Sequence, residues 1–221
     1  MLPLILALQV NLLLLVLAKN LRWGGVSGVA ACVPVGVAVM HFAGMEAYVP
    51  FAVFSAGGVL VGLAGSAAEP PRSCFSAANV GAGCLAPLVM AVFWDWLPDP
   101  EPCHAALIAG FGAALGNAVF VGLSHAARGA ASSAGGVGLS LNGAISATAA
   151  GSLVALAGWA AGGILFAHVW TVIAAVAGAS FCFSLIAAVL RRRAGIAIRL
   201  GNLVSTSIAC AAAGALAWAA R

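Results

Sequence analysis

Residues 26–48 read VSGVAACVPVGVAVMHFAGMEAY. The run carries no charge before Glu46 and is long enough to cross a bilayer as one helix, which takes about 20 mostly apolar residues. Near its end stands Met40-His41-Phe42-Ala43-Gly44-Met45. A histidine between methionines at membrane depth is costly unless it is partnered, so it reads by default as a functional position.

The rest of the chain has the same character. Of its 221 residues, 64% are hydrophobic and 6% charged, against about 25% charged in soluble domains. A chain this apolar could not cover its own surface in water, so it reads as an integral membrane protein whose first partner is the lipid bilayer. The length leaves room for one compact bundle and no large soluble domain. No glycine-rich phosphate loop, dinucleotide fingerprint, zinc-finger spacing or basic nucleic-acid patch is present. The net charge of +4 reads as loop arginines rather than as a nucleic-acid-binding surface. No nucleophile–base pair or paired catalytic carboxylates can be read, so an enzyme is not the expectation. Four of the six cysteines lie in apolar runs, where a free thiol acts as a small hydrophobe. Cys103 is placed instead in a polar loop beside His104.

Eight segments meet the length rule: 2–18, 26–48, 51–68, 77–97, 104–126, 143–166, 169–190 and 196–219. The expected fold is therefore all-α, a polytopic transmembrane helix bundle of about eight spans. The first segment lacks a positive leading region and a good cleavage site, so it is kept as a helix. Eight spans also sort the charges. Lys19, Arg22, Arg72, Arg128, Arg191, Arg192, Arg193 and Arg199 fall on one side. The opposite connections hold Glu46, Asp95, Asp99 and Glu101, with only the terminal Arg221 against the pattern. The positive-inside rule then puts the arginine loops in the cytoplasm and both termini outside it. Dense glycine, alanine and serine let helices approach closely in lipid. Pro34 and Pro87 sit inside expected helices and should kink them. Residues 130–138 read as a flexible cytoplasmic loop.

This topology brings three histidines to one face. His41 ends helix two on the outer side, His104 opens helix five in a proline-rich turn, and His168 lies between helices six and seven. They are spaced 63 and 64 residues apart, which allows two helices per interval. His125 falls at the cytoplasmic end and is left out. Aligning Pro34 with Pro87 sets His41 over Trp94, with Asp95 next. That is either a repeat with one degenerate copy or chance similarity in alanine- and valine-rich sequence.

Met40-His41-Phe42-Ala43-Gly44-Met45 resembles the signature of the MHYT family of bacterial integral membrane sensor domains. Residues 1–190 match that family's seven-helix layout in span count and orientation. Residues 191–221 add a cytoplasmic arginine loop and a further C-terminal transmembrane helix. At the third repeat position Ala167-His168-Val169-Trp170-Thr171 keeps the histidine and lacks the methionines; at the second, Phe93-Trp94-Asp95 has none. The resemblance implies a sensor of a diatomic gas or a redox state, in a bacterial inner membrane, with copper as the bound metal. No output domain is attached, so the signal would pass to a separate membrane or cytoplasmic protein partner.

Thioether and thiolate suit copper(I), and imidazole suits both copper oxidation states. Met40, His41 and Met45 have the right donor atoms, and residues four apart on a helix share a face, which would aim His41 and Met45 at one point. His168, His104 and Cys103 are further candidate ligands from neighbouring helices. Glu46, Asp95, Asp99 and Glu101 are candidates to orient a histidine from an outer layer, where Cys103 could also stand. Other readings stand beside this one. Met40 and Met45 can be plain packing residues, His41 a hydrogen-bond donor to a neighbouring helix, and Trp94, Trp96 and Tyr48 interface aromatics. Two other functions fit the composition: a structural subunit of a membrane complex, and a small-solute transporter with Pro34, Pro87 and Asn117 marking broken helices or a cavity.

Overall fold

The computed structural model describes residues 2–20, 26–65, 75–96, 100–130, 141–190 and 194–220. Among them every regular element is helical. They are α1 (Leu2–Asn20), α2 (Val26–Gly65), α3 (Ala77–Phe93), a 3-10 turn over Trp94–Trp96, α4 (Glu101–Ala130), α5 (Leu141–Ala160), α6 (Phe166–Val189) and α7 (Ala194–Ala219). Five stretches are long and apolar enough to cross a membrane: Val26–Leu63, Glu101–Leu123, Gly143–Ala160, Phe166–Val189 and Ile196–Ala219. Pro3–Lys19 and Ala77–Phe93 are shorter apolar helices. Ala130, expected to open a loop, ends α4, while 131–138 of that loop, the arginines at 22, 72, 191–193 and 221, Asp99 and the side chains of Asp95, His125 and Arg128 lie outside the described residues.

Among the described residues seven helices stand where eight were expected, because the second and third expected segments form one element. Their boundary was placed around Pro50, yet Pro34 and Pro50 both lie inside α2 and the helix is broken elsewhere, at Gly44 (φ 73°, ψ −168°). That conformation is open essentially only to glycine. The break reverses the chain. A Cβ built on Gly36 would lie 2.6 Å from the Phe51 ring, although 15 residues of straight helix would hold the two about 22 Å apart. Gly28 and Gly58 likewise both press against Phe75. α2 is thus a helical hairpin with its tip at Gly44. Gly44→Ala should cost about 1–3 kcal/mol through backbone strain alone, since nothing lies within 4 Å of the added methyl. A lowered denaturation midpoint in detergent checks this.

Two more hairpins follow. α3 and α4 pack antiparallel, with Gly83 against Ala114 and Gly110 against Pro87. α5 and α6 do the same, with Gly151 against Val176. α5 ends because Gly162 takes a positive φ of 82°. Gly162 N–H then bonds the Trp159 carbonyl and Gly163 N–H the Gly158 carbonyl, both at 2.9 Å, the paired bonds of a Schellman stop.

α4 is the central helix and packs against α2, α3, α5, α6 and α7. Its contact with α5 is the tightest kind. Gly112 and Gly116 face Ala147 and Gly151, and a Cβ on Gly116 would lie 2.7 Å from the Ala147 carbonyl oxygen. Small residues four apart let two backbones meet without side chains between them. α1 packs on α2, and Tyr48, which is buried rather than an interface aromatic, ties it there: Asn11 Nδ2 donates to Tyr48 Oη, which donates to the Ala7 carbonyl, each at 3.1 Å. Asn117, considered above as a mark of a broken helix, lies within α4 and donates from Nδ2 to Ser205 Oγ on α7 at 2.7 Å.

Candidate functional site at the hairpin tips

The three hairpin tips meet at one end of the bundle, and they bring four ionisable side chains with them. Tip one supplies Glu46, just past the Gly44 break. Tip two supplies Trp94, Glu101 and His104. Tip three supplies Gly163 and His168. The tips touch: a Cβ on Gly163 would lie 3.2 Å from the Glu46 carbonyl oxygen, and His104 hydrogen-bonds the Gly163 backbone.

The side chains stand as two imidazole–carboxylate pairs. His168 Nε2 is 3.2 Å from Glu101 Oε1, and His104 Nε2 is 3.8 Å from Glu46 Oε2. Glu101 and His104 are three residues apart on α4, so they share a face and the pairs adjoin. The imidazoles are 8–10% exposed, while Glu101 is 30% and Glu46 53% exposed, so the carboxylates lie between the histidines and the surface. The Trp94 ring lies against His104. Each imidazole keeps one nitrogen bare: His104 Nε2 and His168 Nδ1 are buried without a hydrogen-bond partner among the described residues. A buried polar atom of this kind calls for an explanation.

His104 and His168 are both inside helices. α4 begins at Glu101, with Pro102 tolerated in its first turn, so His104 is not in a loop. α6 begins at Phe166, which puts His168 in its first turn rather than between helices. Cys103, placed above in a polar loop, is likewise helical and buried. It lines an apolar groove of about 550 Å³ between α3, α4 and α7, together with Met90, Ser207 and Cys210.

Met40, His41 and Met45 do not join this cluster. Met40 is packed in the apolar core. His41 is exposed on the outside of the bundle, its ring edge-on to Phe42 at 4.9 Å, and Met45 is 42% exposed. The shared helical face argued for His41 and Met45 does not exist, because the non-helical Gly44 lies between them. Phe42, Phe93, Trp96, Trp159, Phe166 and Trp170 are likewise exposed.

Among the described residues no three His, Cys, Asp or Glu side chains converge as a group able to hold a metal ion. Glu101, a candidate to orient a histidine, stands beside His168, while Trp94, read as an interface aromatic, lies against His104 instead. The Glu101-to-His104 spacing of three residues, at the start of an apolar helix, was the available signal.

No family model matches the chain, nor does any curated protein or solved structure.

Proposed function

We propose that this chain is an eight-span integral membrane sensor domain of the MHYT type that reads a diatomic gas or a redox state through a metal at the joined hairpin tips. It passes the signal to a separate protein partner. The observation that carries this reading is the pair of buried imidazoles with one engaged and one bare nitrogen each. Metal-binding histidines use their second nitrogen in this way, on a carboxylate or a backbone carbonyl, to fix the ring. His168 has Glu101 and His104 has Gly163 in that role.

Copper fits the two imidazoles and not the methionine-flanked string. His104 and His168 would hold the ion, with Glu46 and Glu101 supporting them. Copper held there would supply a redox-active centre. The chain's own part is to fix the two rings, exclude lipid from them and connect them to α4, the helix that touches most of the bundle. The runner-up reading, a structural subunit, treats the same pairs as cross-links between tips. Elemental analysis of the detergent-purified protein separates the two: the sensor reading expects stoichiometric copper, and the structural reading expects none.

Eight spans follow if α1, both arms of α2 and α3 to α7 all cross the bilayer. Two features support putting the tips on the outer face of a bacterial inner membrane, with both termini non-cytoplasmic. Among the described side chains, Glu46 and Glu101 are at the tip end and the exposed Lys19 and Arg199 are at the other. Exposed tryptophans at 96, 159, 170 and 218 gather at the tip end, as interface aromatics do. Cysteines introduced at Trp96 and Lys19, in a cysteine-free background, should label from opposite sides in oriented vesicles. Labelling of both from one side would refute this topology.

A further inference from the structure

The second polar cluster of the bundle lies away from the tips, where α7 joins α3 and α4. Asn117 on α4 donates to Ser205 on α7, and Ser205 Oγ donates to the Asn202 carbonyl at 3.3 Å. Asn202 reaches α3 with one long contact, Nδ2 to the Asn79 carbonyl at 3.5 Å. Asn202 is 7% exposed and Asn117 1%. The amide oxygen of each has no hydrogen-bond partner among the described residues. Asn202 also faces a cavity of about 10 Å³, whose other walls include Phe54, Phe75, Asn79 and Ala118.

A buried amide oxygen left bare costs about 1–3 kcal/mol, which is dear for a bundle held together by packing and a few polar links. The space is close to the lower limit for one water molecule, about 10–15 Å³, and a water needs at least two polar partners. Asn79 and Asn202 are the polar residues of the lining. A bare cation suits the site less well, since the lining holds no carboxylate to balance it.

We infer that a single water molecule is a standing part of the fold in this cavity, donating to Asn202 Oδ1 and completing a polar clasp that fastens α7 to α3 and α4. The bond to Asn202 is what the water contributes; Ser205 and Asn117 form the dry half of the clasp. This inference does not depend on the sensor reading.

The test is a double-mutant cycle on the full-length protein in detergent, with thermal unfolding as the readout. Ala118→Val fills the cavity from its apolar wall, and Asn202→Leu removes the acceptor. With a bound water, Ala118→Val displaces it, bares the oxygen and lowers the midpoint by a few degrees. In the Asn202→Leu background the same valine should cost little, because no acceptor remains to be bared. A dry cavity predicts no such coupling: valine is larger than the space and costs the same overpacking in both backgrounds. That result overturns the inference. A midpoint that shifts when sodium replaces choline would also overturn it, in favour of an ion. If Asn202→Leu does not fold, Asn202→Met serves as the acceptor-free background and the coupling is read from that cycle.

Discussion

Gly116→Val is expected to leave almost no correctly folded bundle. A single added Cβ at this position would already lie 2.7 Å from the Ala147 carbonyl oxygen and 3.2 Å from its carbon. These are backbone atoms of α5 and cannot swing away as a side-chain tip can. Valine adds two more methyl groups at the same point, and its χ1 is nearly fixed in a helix. The only relief is to push α5 off α4. Overpacking in a close-packed interior costs about 1–3 kcal/mol even where neighbours can adjust. Here the neighbours are two helices that also carry Gly112 against Gly151, so the whole seam opens. Size-exclusion profiles and protease resistance in detergent read the loss. Gly178→Val, where nothing lies within 4 Å of an added Cβ, should fold normally.

The second large effect is on metal. His104→Ala and His168→Ala should each abolish stoichiometric copper binding while the bundle still folds, since the two rings are the candidate donors and alanine is a good helix former. Glu101→Gln keeps the shape and the hydrogen-bonding reach of the side chain but removes the charge beside His168. Loss of such an outer-layer partner weakens metal affinity by about 10–100-fold. Glu46→Gln, at the longer 3.8 Å separation, should do less. The apparent stability gained from copper should vanish with the binding.

The helices themselves were legible because apolar runs of bilayer length, separated by charges, leave few alternatives. Their joints were less so. Proline is the usual signal for a break, yet α2 carries Pro34 and Pro50 within it and turns at Gly44. A proline removes one donor and bends a helix; it does not reverse the chain. A glycine at positive φ does, and nothing in the local sequence marks which of the chain's 28 glycines will adopt it. The near-equal spacing put three histidines at one end; His104 and His168 meet in the tip cluster, and His41 does not join them. Their facing was not. α2 is apolar on nearly every side, so no polar stripe indicates which way His41 points. Its direction is set by the packing of α1 and by the Phe51, Phe54 and Phe111 rings that fill the interior. The methionine-flanked histidine drew attention through its neighbours in sequence, while the buried histidines owe their place to neighbours in space.

The most direct test of the central claim is copper titration of the purified wild-type protein beside His41→Ala and the His104→Ala/His168→Ala double variant. The hairpin-tip account predicts stoichiometric binding in the wild type, unchanged binding in His41→Ala and none in the double variant. Binding that is lost in His41→Ala and kept in the double variant would contradict it, and so would a wild-type protein that takes up no copper.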